Sequence, residues 1–132
     1  MRLDTGSDLV EEITRFAGDA AITTAWVGFL GAVRRASLRY YDQEARRYDD
    51  FVIDRHLEVV AGVGNVSLID GTPFVHAHAA FSDGGGAAFG GNLNAGCEVF
   101  ALEVRIEELL GEPMRRERDD CTGLNLWGGT LP

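Results

Sequence analysis

The sequence predicts an α+β domain: a mostly antiparallel sheet with one helix flanking it at the N-terminus. Three observations carry this. One segment near the start repeats its apolar residues at helical spacing. Most of the remaining chain alternates apolar and polar residues or is rich in β-branched ones. Short clusters of Gly, Asp and Pro separate those segments at hairpin distances. The 132 residues make a single domain, 1–132, large enough to bury a core without disulfide or metal staples.

In chain order, residues 7–17 place Leu9, Val10, Ile13 and Phe16 on one helical face and Glu11, Glu12 and Arg15 on the other. Ser7 is the expected N-cap, Asp8 suits the positive helix start, and Gly18 is the expected left-handed stop. Residues 20–33 are apolar, β-branched and punctuated by Gly28 and Gly31, which predicts a buried strand ending in a bend. Residues 36–42 and 47–53 alternate around a polar turn and read as a hairpin. The strand expected over 56–70 carries Gly62 and Gly64, the mark of a bulge or a close backbone approach. Gly71-Thr72-Pro73 turns the chain into a strand over 74–83, and Gly84-Gly85-Gly86 opens what reads as a flexible loop. Residues 97–109 form a long alternating strand, with Val99, Ala101, Glu103 and Arg105 on one face and Phe100, Leu102, Val104 and Ile106 on the other. The tail is polar and then apolar, so its end is expected to dock back onto the body.

At 45% hydrophobic and 25% charged, the composition excludes a disordered chain. No apolar run approaches the ~18 residues of a membrane span, and the first residues do not read as a secretion signal. The expectation is a cytoplasmic protein with no membrane contact. The net charge is −9, and residues 56–104 contain neither Lys nor Arg. A nucleic-acid stripe could draw only on Arg34, Arg35, Arg39, Arg46, Arg47 and Arg55, which are interleaved with acids. Phosphate neutralisation supplies most of the affinity for DNA, so direct binding is expected to be weak or indirect. Cys97 and Cys121 form no C-x-x-C pair and read as free buried thiols.

The sharpest chemical feature is His76-Ala77-His78. In a strand, residues i and i+2 leave the same face, so both imidazoles can address one metal ion, and two satisfied histidines on a polar face fit the pattern equally. A third ligand would come from elsewhere: Asn92 or Asn94 if the glycine-rich stretch wraps back, or Asp83 or Glu98. Glu58, inside an apolar strand, faces water, or pairs with Arg55 or Arg34, or is an acid of raised pKa. The glycines match no phosphate loop, and no G-x-S-x-G elbow is present.

The ordered set RLDTGSDLVEEITRFA, TTAWVGFLGAVRRASLRYYD, LEVVAGVGNVSLIDGTPFVHAHAAFSD, GGNLNAG and TGLNLW resembles the PPC (plant and prokaryote conserved) domain over nearly the whole chain. The resemblance implies an α+β fold with a flanking helix, assembled as a homotrimer. Prokaryotic relatives are commonly described as DNA-binding. In the plant relatives an AT-hook touches DNA while this domain mediates self-association and partner binding, and no R-G-R-P core occurs here. Many prokaryotic relatives carry three metal-binding histidines, an H-x-H strand plus a His after a Gly pair. The first two match His76 and His78, and the third falls on Asn92. Two functions follow as expectations. One is a DNA-binding or transcription-associated regulator acting mainly as a trimeric interaction module with protein partners. The other is a metal-dependent enzyme or small-molecule binder using His76, His78 and Asn92, with zinc as the metal.

Overall fold

The computed structural model describes residues 1–129. A short strand β1 (Arg2–Leu3) precedes helix α1 (Leu9–Asp19). Then follow β2 (Ala25–Asp42), β3 (Arg47–Ile53), β4 (Leu57–Ile69), β5 (Thr72–Ser82), β6 (Ala88–Leu93), β7 (Glu98–Glu108), β8 (Arg116–Arg118) and β9 (Asn125–Trp127). The first seven strands form one sheet, antiparallel at every pairing, and β8 with β9 makes a separate hairpin. This is the α+β class the sequence predicts.

The 18-residue β2 organises the sheet. Its first half lies between β7 and β4, and its second half between β3 and β6. Pairing therefore runs from β2 through β4, β5 and β6 and back to β2, closing a small ring. The core fills its inner side with Val27, Leu38, Val66, Phe81, Leu93 and Leu102, and Leu9, Ile13 and Ala17 of α1 pack onto it. Each fully buried Leu or Ile contributes roughly 1.5–3 kcal/mol.

Several local expectations are corrected. The helix starts two residues later, capped by Asp8 rather than Ser7. Asp8 Oδ1 accepts from the Val10 and Glu11 amides at 2.9 Å, while the Ser7 hydroxyl donates to the Asp4 carbonyl at 2.7 Å. The other Asp8 oxygen accepts from the Gly96 amide, tying the helix start to the loop before β7. The helix runs through Gly18, and the left-handed residue after it is Ala21, at φ 56°. Residues 20–33 do not end in a bend. Gly31, at φ 136°, sits at a bulge where a Cβ would overlap the Ala101 carbonyl, and β2 continues past it. Nor is that segment buried on both sides, since Trp26 and Leu30 face out.

The β2–β3 hairpin matches expectation, with Asp42 paired to Arg47. Gly62 provides the close approach foreseen, because the Phe29 ring lies where its Cβ would be. The turn into β5 is Asp70-Gly71, both at positive φ, the two-residue form that suits strand twist, so Thr72 and Pro73 already belong to the strand. The expected loop at Gly84 is a tight turn. Asp83 Oδ1 accepts from the Gly85 and Ala87 amides at 2.9 and 3.0 Å, and β6 begins directly after it. In β7 a register shift opposite Val33 breaks the alternation. Val99 joins Leu102 and Val104 in the core and Phe100 faces out. The tail does dock back: Leu68 donates its amide to the Met114 carbonyl at 2.9 Å, ahead of the β8–β9 hairpin. Cys97 is buried, its thiol pKa pushed up to about 11 by desolvation, whereas Cys121 is exposed, against expectation. Glu58 is exposed on the outer face. No helix of the described residues is long and apolar enough to cross a membrane.

Candidate site at the histidine pair

On β5, Val75, Ala77, Ala79 and Phe81 point into the core, and Phe74, His76 and His78 point outward. The two imidazoles meet, with Nε2 atoms 3.2 Å apart. Asn92 of β6 stands opposite His78 in register, and cross-strand partners leave the same face. The Gly-rich stretch thus reaches the histidines as a paired strand, not a wrapped loop. Gly90 is needed there, because a Cβ would sit 2.8 Å from the Ala79 carbonyl oxygen. His76, His78 and Asn92 are brought to one face. Asn94 lines the same cavity, donating to Asp50 at 3.3 Å. The other suggested ligands are engaged elsewhere, Glu98 with Arg34 at 3.4 Å and Asp83 with Arg55 at 3.3 Å.

Behind His76 lies Arg116 of β8. Its Nε donates to Ser67 Oγ at 2.7 Å, Nη1 to the Asn125 carbonyl at 3.0 Å and Nη2 to Asn65 Oδ1 at 2.9 Å. Nη2 also stands 3.4 Å from His76 Nδ1. The guanidinium lies 5.4 Å from the Phe74 ring centre and 6.0 Å from that of Trp127. Burial, then the Arg116 charge, then His78 lower the His76 pKa to about 4, so the ring is neutral at pH 7.

Two imidazole nitrogens bound to one tetrahedral zinc at ~2.0–2.1 Å stand about 3.4 Å apart, close to the spacing here. The rest of the set fits a resident zinc poorly. Asn92 offers a weak neutral oxygen. A metal-bound imidazole ordinarily donates its second N–H to an acceptor, and the partner of His76 is a cationic donor. Among the described residues no group of three His, Cys, Asp or Glu could hold an ion.

The histidines lie in a cavity of about 840 Å³. It is walled by Arg39 and Tyr41 of β2, Tyr48 of β3, and Arg116 and Arg118 of β8. The tip of the β2–β3 hairpin holds the C-terminal hairpin in place, with the Tyr41 hydroxyl donating to the Thr122 carbonyl at 2.7 Å. Sequence reasoning missed Arg116 and Arg118. The available signal was their i, i+2 spacing in R-R-E-R, which puts both on one face of a short strand. A shallower groove of about 530 Å³ along β1, β2 and β7 gathers no comparable cluster.

The fold and this site define a small α+β domain that presents paired strand histidines on the outer face of an antiparallel sheet. Residues 1–110 match the family model of the Plants and Prokaryotes Conserved (PCC) domain, and the chain belongs to that family, the one its sequence resembles. It is 42% identical to a metal-containing protein of Archaeoglobus fulgidus, covering 98% of this chain and 91% of that one, with a TM-score of 0.92. A plant- and prokaryote-conserved (PPC) protein of Pyrococcus horikoshii is 33% identical, with 100% and 91% covered and a TM-score of 0.94. A Ralstonia eutropha structure named "Putative DNA-binding protein" is 25% identical, with 100% and 90% covered and a TM-score of 0.89. The chain is also 32% identical over 125 residues to the bifunctional protein GlmU of Synechococcus sp. (strain JA-3-3Ab), spanning 93% of this chain and 19% of that protein's length.

Proposed function

We propose that the domain is a self-assembling interaction module, a homotrimer that acts in transcription-associated regulation through protein partners. The observation that carries this is the outer face of the sheet. Trp26 and Leu30 of β2 and Val63 of β4 are 46%, 59% and 49% exposed where a water-facing sheet would be polar. Glu103, Arg105 and Glu107 of the adjoining β7 stand beside Leu30, Gly28 and Trp26 in register and supply a charged border. An apolar centre with a polar rim is the anatomy of an interface. Sedimentation equilibrium should give three times the 14.3 kDa chain mass, and Leu30→Glu should shift it toward the monomer. A wild-type mass near that of one chain at micromolar concentration sinks this reading.

Direct duplex-DNA binding is weak in this reading, within the non-specific range of about 10⁻⁴–10⁻⁶ M at physiological salt. The net charge of −9 supports it, and the name carried by the Ralstonia relative is the point against it. A sequence-selective nanomolar footprint overturns it.

A second reading is a metal-dependent or ligand-binding site at His76, His78 and Asn92. It is supported by the 3.2 Å Nε2 separation and by the metal-containing Archaeoglobus relative. Stoichiometric zinc in protein purified without added metal favours it, and metal-free protein with no measurable zinc affinity rejects it.

A further inference from the structure

We infer that the cavity over the histidine pair binds a phosphorylated small molecule of nucleotide size, its phosphoryl group held by Arg116 and Arg118. This goes beyond the interaction module and needs no metal.

The first ground is an inversion of charge. In a chain of net charge −9, the cavity is lined by five arginines together with His76 and His78, and by no carboxylate. Two of those arginines are balanced from just outside, Arg39 by Asp50 at 3.3 Å and Arg47 by Asp49 at 3.2 Å. Arg46 donates to the Asp120 carbonyl, and the Asp119 carboxylate feels its charge. Arg116 and Arg118 are different: among the described residues neither makes an ion pair. Arg116 is met only by neutral acceptors and ring faces, and it is partly desolvated. A cleft of one sign with low-dielectric walls focuses its field on a counter-ion.

The second ground is geometry. Alternation along β8 sends Arg116 and Arg118 to one side and Glu117 to the other. Arg116 is held by three hydrogen bonds, so little side-chain freedom is lost on binding. The exposed Arg118 guanidinium, with no side-chain hydrogen bond among the described residues, presents paired N–H groups that match phosphate oxygens. Arg116, whose three nitrogens already donate, adds a fixed positive charge beside it. The third ground is size and lining. A volume of about 840 Å³ falls within the ~300–1,000 Å³ of small-ligand sites. Tyr41 and Tyr48, with ring centres 4.9 Å apart and planes tilted by 59°, give one wall an aromatic corner whose ring edges and open face a base can contact.

The test titrates the full-length chain by calorimetry in EDTA, which removes any metal bridge. The probes are adenosine 5′-monophosphate, inorganic phosphate, adenosine and a short DNA duplex. The monophosphate should bind with a sub-millimolar Kd, and adenosine at least about tenfold more weakly. Arg118 is exposed, so Arg118→Gln should leave the melting temperature unchanged while weakening the monophosphate by about tenfold; Arg116→Gln should weaken it further. Inorganic phosphate competing with the monophosphate supports the phosphoryl assignment. The proposal is overturned if neither phosphorylated probe binds at millimolar concentration. It is equally overturned if adenosine binds as well as its phosphate, if Arg118→Gln binds like the parent, or if the duplex binds more tightly than the nucleotide. Sedimentation reads the interaction module and calorimetry reads the ligand, so the two readings can fail separately.

Discussion

The two faces of β5 differ by a single step along the chain, yet they answer to different physics. Val75, Ala77, Ala79 and Phe81 enter the core and are judged by volume and shape. Phe74, His76 and His78 leave the sheet on the other side, where their neighbours are Arg116, Asn65 and Asn92. The inward set can change only at a cost in folding, whereas the outward set can change its chemistry while the fold persists. The largest expected effect tests the inward half. Phe81 is fully buried, so Phe81→Ala should cost about 3–5 kcal/mol in urea unfolding. Outward-facing Ala80→Ser should stay within about 0.5 kcal/mol. A Phe81→Ala protein as stable as its parent would remove the distinction.

The glycines sharpen the same contrast. A Cβ on Gly64 would sit 2.5 Å from both the Ala77 Cβ and the His76 carbonyl oxygen, and neither can swing aside. Gly64→Ala should therefore destabilise by about 1–3 kcal/mol. On the opposite face, a Cβ on Gly28 meets nothing nearer than the Gly62 carbonyl at 3.9 Å. Gly28→Ala should lie within about 0.5 kcal/mol of the parent. Equal denaturation midpoints for the two variants would contradict the packing described.

The inward face was the legible one. Periodicity and β-branched composition located α1, the β2–β3 hairpin and the main strands apart from β6, although β2 reads as two segments, 20–33 and 36–42, where the structure has one strand. β6 reads A-F-G-G-N-L, and its glycines announce a loop. The strand forms because β5 and β2 supply partners on both sides and because Gly90 allows the close approach. The phase of β7 was misread at Val99 and Phe100, since a bulge is set by the partner strand rather than by local residues. At the site, the H-x-H spacing was readable from the residues themselves, whereas Asn92 was singled out from Asn94, Asp83 and Glu98 only by the family resemblance. Arg116 was not, because its contacts with Asn65 and His76 span 51 and 40 residues.

Asn92→His changes the outward chemistry without touching the inward packing. Asn92 stands opposite His78, so an imidazole there would share the face of His76 and His78 and complete three nitrogens. Zinc affinity should rise at least tenfold, about 1.4 kcal/mol. The variant should also gain a melting-temperature increase that EDTA abolishes. Equal affinities in calorimetric titration of the two metal-free proteins would show that position 92 does not address the pair.

The smallest effect is on acid stability and comes from His76 itself. Its folded pKa is about 4, held down first by burial, then by the charge of Arg116 and by His78, against an ordinary value of 6.5. The unfolded chain therefore binds the proton more readily, and each protonation at this residue favours unfolding. The sign follows: the His76 contribution to stability is constant above pH 6.5, falls as the pH drops from 6.5 toward 4, and is constant again below. The half-buried ring keeps part of its hydration, so the effect is smaller than the core substitutions. Carboxylates titrate in the lower part of the same window, which makes the difference between variants the informative quantity. His76→Asn should lose less melting temperature than the parent between pH 7 and 4.5. Arg116→Gln removes the neighbouring cation and should raise the His76 midpoint in an NMR titration. A parent ring that titrates at or above 6.5 would mean that the guanidinium does not stand behind it, and the electrostatic account of the outward face would fall with that contact.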